Sequence, residues 1–240
     1  MGPELLQHPL SRADGSSVFS DGLYTILAGV NGPVEVQRRD ELPEEAAIEV
    51  NFRPSSGVGG PRERWLEGII QNVLRSILLI HLHPRTLFQF TVQVSKQPES
   101  RFRKTTSDIA ILPALINAAL SAAIDGGLPL AMTTSAVLAV VTDTGKVVVG
   151  PSEKEILESR SIHATAFNQH GEQLLDESAG NFDFGTWEAV VHAGQQACAA
   201  AIAPAGEDFA MTNGEKSDAP WLRETLEEQA RKANAWREKT

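Results

Sequence analysis

Apolar residues recur along this chain with two different periods, and the switches between them divide it into elements. Over the first fifty residues the pattern is that of short strands. In "SSVFSDGLYTILAGVNGPVEV", Asp21-Gly22 and Asn31-Gly32 stand between apolar runs, as hairpin turns do. "AAIEVNF" sets Ile48, Val50 and Phe52 against Ala47, Glu49 and Asn51, one dry and one wet face of a strand. Together these predict a β-meander, closed by the loop "RPSSGVGG". From Pro61 the period becomes helical: Leu66, Ile69, Ile70, Val73, Leu74, Ile77 and Leu78 share one wide face, and "HPRT" ends the run. "LFQFTVQV" alternates again, with Phe88, Phe90, Val92 and Val94 on one side.

The charged stretch 96–104 predicts a loop. A second helix follows over about 106–125, stopped by Gly126-Gly127. Strands near 132–142 and 146–149 are joined by "DTGK". "PSEKEILES" reads as acidic helical turns, and "SIHATAF" with "EQLLDES" as a hairpin across "NQHG". The alanine-rich stretch 186–203 is apolar on most sides and predicts a buried helix. Beyond Pro204 the sequence turns polar. This organisation divides the chain into a domain over 1–204, a linker over 205–217 and a helical extension over 218–240. Asp218 is placed to cap the extension, which carries a thin apolar stripe of Trp221, Leu222, Leu226 and Trp236.

The bulk numbers narrow the classes. The 240 residues suffice for a sizeable core. Asp and Glu outnumber Lys and Arg by 31 to 21, a formal charge of −10, opposite in sign to a free-standing nucleic-acid binder. Contact with RNA would need a local basic patch or help from partners. One cysteine, Cys198, allows no internal disulfide and suits a reducing compartment. No signal-peptide pattern opens the chain and no run of about 18 uninterrupted apolar residues occurs, so no membrane role is expected.

Candidate chemistry is sparse. "GVGG" at 57–60 lacks the Gly-Lys-Ser/Thr ending of a phosphate loop and reads as a flexible loop. "HLH" at 81–83 lacks further ligands and reads as helix-end histidines. His163 and His170 have no recognisable partner spacing, and the acids are scattered. No metal site and no cofactor is expected. More informative is Arg62-x-Arg64 inside the first long helix, where guanidinium groups can fork onto phosphates. Pairing with Glu63, Glu67 or a neighbouring subunit is the alternative. Arg101, Arg103 and Lys104 form a second basic cluster around Phe102, a mixture that can grip single-stranded RNA by charge and stacking, or a solvated loop. "SDIAILPALINAAL", 107–120, opens the second helix. Helix starts hold anions well, yet this one carries Asp108 and no glycine, arginine or lysine.

The order of these elements resembles the RNase PH-like family, and within it the ring subunits of the eukaryotic RNA exosome. The resemblance covers residues 11–203, with "RADGSSVFSDG", the helix from Pro61 through "HPRT", and "GGLPL" as its best pieces. It implies an α+β fold of the ribosomal protein S5 domain 2-like type, mixed β-sheets packed with helices. It also implies a hexameric ring with cap proteins, a second RNase PH-like subunit as heterodimer partner, RNA in the central channel, an associated catalytic nuclease, and residence in nucleus, nucleolus and cytoplasm. Active members phosphorolyse RNA with a Gly-Ser/Thr-Arg triplet at the start of the second helix and an Asp in a later strand. By count from "GGLPL" the triplet falls on Ala110, Ile111 and Leu112, and the Asp on Ser161. No Gly-Ser-Arg or Gly-Thr-Arg occurs anywhere. The resemblance thus implies a lost phosphate site, a lost catalytic carboxylate, and retained RNA-facing arginines at Arg62 and Arg64. The alternatives are a phosphate-dependent exoribonuclease drawing a carboxylate from Asp176 or Glu177, and a metal-dependent hydrolytic nuclease acting outside a ring.

Overall fold

The computed structural model describes residues 3–100, 102–202 and 221–235. Two sheets with one helix between them form the body. The first sheet holds β1 (Glu4–Gln7), β2 (Gly15–Ser20), β3 (Thr25–Glu35), β4 (Ala47–Arg53) and β5 (Thr86–Lys96) in the order β1-β2-β3-β5-β4. The second holds β6 (Thr134–Thr142), β7 (Val147–Val149), β8 (Ser159–Asn168) and β9 (Gln173–Gly180) in the order β7-β6-β8-β9, all antiparallel. Of the helices, α1 spans Pro61–Ile77, α2 Lys104–Asp125, α3 Glu153–Leu157, α4 Phe184–Ile202 and α5 Trp221–Asn234. The architecture is α+β with mixed sheets, as the resemblance implies.

The alternating positions of β3, β4 and β5 send Ile26, Val50, Phe88, Phe90 and Val92 inward, where α1 and α2 cover them. α2 packs against β2 and β3 on one side and β6 and β8 on the other. That double contact is why its residues Ile109 to Ala123 are buried without a break. By length and composition α2 is apolar enough to cross a membrane, and here that surface is consumed by the core. Two polar side chains fasten it to the sheets, and a third bonds within the helix. Asn117 Nδ2–H donates to Ala136 O (2.8 Å) while its Oδ1 accepts from Ala136 N–H (2.9 Å), extending the edge of β6. Ser17 Oγ–H donates to Ala118 O at 2.8 Å, and Ser121 Oγ–H to Asn117 O at 2.7 Å. At the far end of α2 a Cβ on Gly15 would lie 2.3 Å from Ala122 O, so only glycine lets β2 approach so closely.

Several expectations need correction. The first strands are not a simple meander: β4 returns through α1 to pair parallel with β5. Asp21-Gly22 turns, but Asn31-Gly32 does not. β3 runs through it with a bulge, because Val34 and Glu35 still pair with Leu87 and Thr86. α1 stops at Ile77, short of "HPRT", since Leu78 bridges Leu130 and Leu79 N–H donates to Pro129 O. The second helix begins at Lys104, earlier than about 106. α4 is not buried all round. Only Val190, Gly194, Cys198 and Ala201 are buried, because alanine faces water as readily as it faces a core. α5 packs on the body: Trp221 lies on Phe19 with ring centroids 5.1 Å apart, and Leu222 is buried. The predicted cap Asp218, the linker and Trp236 lie outside the described residues.

Candidate nucleic-acid interface

α1 begins with a cap that commits its acids. Gly60 is the N-cap, and Glu63 Oε2 accepts the Gly60 N–H at 2.7 Å. Glu67 Oε1 accepts Phe52 N–H at 2.9 Å, stitching the helix to the end of β4. Among the described residues neither acid meets an arginine. Instead Arg62 reaches across to α2, where its Nε–H pairs with Asp108 Oδ1 and its Nη2–H donates to Ser107 Oγ at 3.2 Å. Ser107 also meets the hydroxyl of Tyr24, whose ionisation burial pushes upward. Tyr24 stands on the β2–β3 turn, whose Asp21 Oδ1 accepts both Leu23 and Tyr24 N–H. Asp108 therefore does not stand as a bare charge against phosphate; it holds a guanidinium. Arg64 is exposed, and among the described residues no acid pairs with it.

The second basic cluster does not lie in one loop. Arg103 is the N-cap of α2 and Lys104 its first residue, both exposed. Phe102 is half-buried and packs against the core. Arg101 lies outside the described residues.

The positions matched to the phosphate triplet sit deep in α2. Ala110 and Leu112 are 0% exposed and Ile111 is 4% exposed. The first turn is Lys104–Ser107, so these three lie beyond the helix start, where backbone N–H groups are spent on i→i−4 bonds. Nor do they share a groove with Ser161. β8 presents Ile162, Ala164 and Ala166 to the α2 side and Ser161, His163 and Thr165 to α4. Strand alternation thus separates Ser161 from Ile111 by the thickness of a sheet.

On the α4 side lies an arrangement that residue spacing alone had not revealed. Ser161 Oγ is 2.9 Å from His163 Nε2, and His163 Nδ1 is 2.8 Å from Ser178 Oγ. Ser178 Oγ is 3.0 Å from Asp176 Oδ1, and Trp187 Nε1–H donates to Asp176 Oδ2 at 2.7 Å. A carboxylate only accepts, so the Ser178 hydrogen points to Asp176 and Ser178 accepts from His163 Nδ1–H. In the neutral ring Nε2 then accepts from the Ser161 hydroxyl. Burial favours that neutral ring, lowering the His163 pKa against the opposing pull of Asp176. Phe182 packs edge-on against the imidazole at 4.7 Å. The readable signal was the hairpin register, which sets His163 directly opposite Ser178. Glu177 alternates onto the α2 side beside Leu175 and Ala179, where burial and Asp176 raise its pKa. Cys198 is on the buried stripe of α4, donating Sγ–H to Ser135 O at 3.1 Å, its thiol pushed up to about 12 by burial.

Comparison with known proteins agrees with this architecture. Residues 6–129 match the model of the 3′ exoribonuclease family, domain 1, of RNase PH type. The chain is 32% identical over 196 residues to exosome complex component RRP46 of Saccharomyces cerevisiae, covering 79% of this chain and 86% of the yeast protein. It is 35% identical over 121 residues to exosome complex component rrp46 of Schizosaccharomyces pombe, covering 50% of each. Among solved structures, Rrp46 of rice, Oryza sativa, superposes with a TM-score of 0.70 at 28% identity, covering 80% of this chain and 86% of the rice chain. A chain of the Archaeoglobus fulgidus exosome, solved with RNA in its active site, shares the fold at TM-score 0.62 and 13% identity, covering 80% and 84%. The sheet order, the sandwiched α2 and the matched sequence together make this chain a member of the RNase PH family of 3′ exoribonucleases.

Proposed function

We propose that this chain is a ring subunit of an RNA exosome core that guides RNA without cutting it. The observation that carries the reading is the burial of Ala110, Ile111 and Leu112 inside α2. A phosphate dianion there would meet hydrocarbon, no free N–H and no cation, and an unpaired buried charge is strongly disfavoured. β8, Ser159–Asn168, contains no aspartate or glutamate, so it offers no carboxylate to a leaving oxygen or a metal ion. Membership of a ring follows from likeness to the yeast and rice proteins named above. The ring would supply a second RNase PH-like subunit, cap proteins and an associated catalytic nuclease. RNA in its channel would meet Arg62 and Arg64, with Arg101, Arg103 and Lys104 as further contacts. Its proposed places of action are nucleus, nucleolus and cytoplasm.

The test is direct. The purified chain incubated with RNA and inorganic phosphate is expected to release no nucleoside diphosphate. Robust release that disappears in Arg64→Ala would end the reading. Assembly is read separately, as the mass of the chain with and without an RNase PH-like partner.

One observation favours a second reading, a nuclease. Glu177 is a half-buried carboxyl with a raised pKa on the α2 side, and among the described residues it has no hydrogen-bond partner. Asp176 is less suited, both its oxygens being taken by Ser178 and Trp187. RNA cleavage that needs added Mg²⁺ and is lost in Glu177→Gln would establish it.

A further inference from the structure

Of the described tryptophans, two have work inside the protein. Trp187 donates to Asp176, and Trp221 packs on Phe19. Trp65 does neither. It is 41% exposed, and among the described residues no ring stacks on it and no acceptor meets its N–H. It lies on the side of α1 away from the buried stripe of Leu66, Ile70, Val73, Leu74 and Ile77. Residues three apart on a helix are neighbours, so Trp65 stands between Arg62 and Gly68. A Cβ at Gly68 would meet nothing within 4 Å, which leaves the surface beside the indole open.

The cation at the other end of this line is already aimed. Asp108, only 18% exposed, takes the Nε–H of Arg62, and Ser107 takes one Nη2–H. A guanidinium has five N–H donors, so three remain for a ligand. The carboxylate fixes the side chain from behind, and long arginines otherwise lose rotamer freedom when they bind. Arg64, exposed one residue before Trp65, adds a second cation. A flat apolar face beside two arginines, on a chain of net charge −10, suits an anionic polymer that carries flat rings.

We propose that Arg62, Arg64 and Trp65 form a nucleotide subsite for single-stranded RNA on the first turns of α1, the guanidinium groups holding backbone phosphate and the indole stacking a base. The proposal rests on the RNA-path reading above. Every base has a π-face, so the subsite binds without choosing sequence. Asp108 is its positioning residue.

The experiment uses the full chain, a labelled oligoadenylate, and the same oligomer with abasic sugars. Trp65→Leu is expected to weaken oligoadenylate binding about tenfold and leave abasic binding unchanged, with Trp65→Phe recovering most of the loss. Quenching of indole fluorescence by oligoadenylate should fall in Trp65→Leu. Arg62→Ala should weaken both ligands and reduce the salt slope by about one. Equal affinity of Trp65→Leu and the parent chain for oligoadenylate overturns the stacking subsite, as does an equal loss on both ligands. If Arg62→Ala alone weakens binding, stacking falls and the RNA path stands. If the parent chain binds neither oligomer, the subsite falls, while ring membership is decided by the mass measurement.

Discussion

The two faces of the β7-β6-β8-β9 sheet differ sharply although the same strands make both. The α2 face is hydrocarbon, with Ile162, Ala164 and Ala166 meeting a helix that is buried all round. The α4 face carries Ser161, His163 and Thr165 in a polar layer, closed by a helix with a single buried stripe. A face packed with alkyl groups has no donor to offer an anion. On the second face Ser161 and His163 are joined by hydrogen bonds, while Thr165 Oγ1 is buried with no hydrogen-bond partner among the described residues. The first face is held by packing, and the second is joined largely by hydrogen bonds.

Substitutions can break that contrast, the largest effect first. Leu112→Arg puts back the family's arginine at the position counted for it, but at a site 0% exposed. It is expected to destabilise by roughly 4 kcal/mol or more without creating phosphorolysis, read by denaturant unfolding and diphosphate release. On the other face, Gly194→Ala would drive a Cβ to 2.5 Å from Thr165 Oγ1. Lifting α4 to make room costs about 2 kcal/mol, visible as a lowered Tm.

His163→Gln breaks the chain of hydrogen bonds at its centre and should cost about 1.5 kcal/mol near neutral pH by orphaning Ser161 or Ser178. Its pH signature is more telling. The folded state holds the His163 pKa below the unfolded value of 6.5, so unfolding takes up a proton. Stability should therefore be fully present above pH about 6.5 and decline as pH falls below it. In His163→Gln that decline should flatten, shrinking the deficit on acidification. A deficit that grows instead would mean the ring is charged in the native state. The smallest effect is Trp187→Phe, which removes the indole donor to Asp176 and should cost about 1 kcal/mol, restored by no change of pH near neutrality.

The sequence reading located most elements because they obey local rules. Alternation marked β4, β5 and the β8–β9 hairpin, and the 3.6 period marked α1. It misjudged ends where a distant segment intervened. Residues 129–131 took over the chain after Ile77, and β5 captured Val34 and Glu35 beyond an Asn-Gly that otherwise turns. α4 looked buried because composition counts alanine as apolar wherever it points. At the candidate site, Arg62 and Arg64 were legible from their place at a helix start. The ion pair to Asp108 was not, because nearly all of α1 and the whole of β5 separate the two residues in the chain.

Two things about this protein follow from the order of residues alone: no Gly-Ser/Thr-Arg triplet exists anywhere in it, and the strand Ser159–Asn168 has no carboxylate. Both are absences of chemical groups, which no folding can supply. What only the tertiary structure decided is direction. Whether Ser161 faces α2 or α4, whether Asp108 repels an anion or steadies an arginine, and whether Trp65 is covered or open depend on register and packing between segments far apart in the chain. Those choices are made by long-range contacts, and local periodicity carries no record of them.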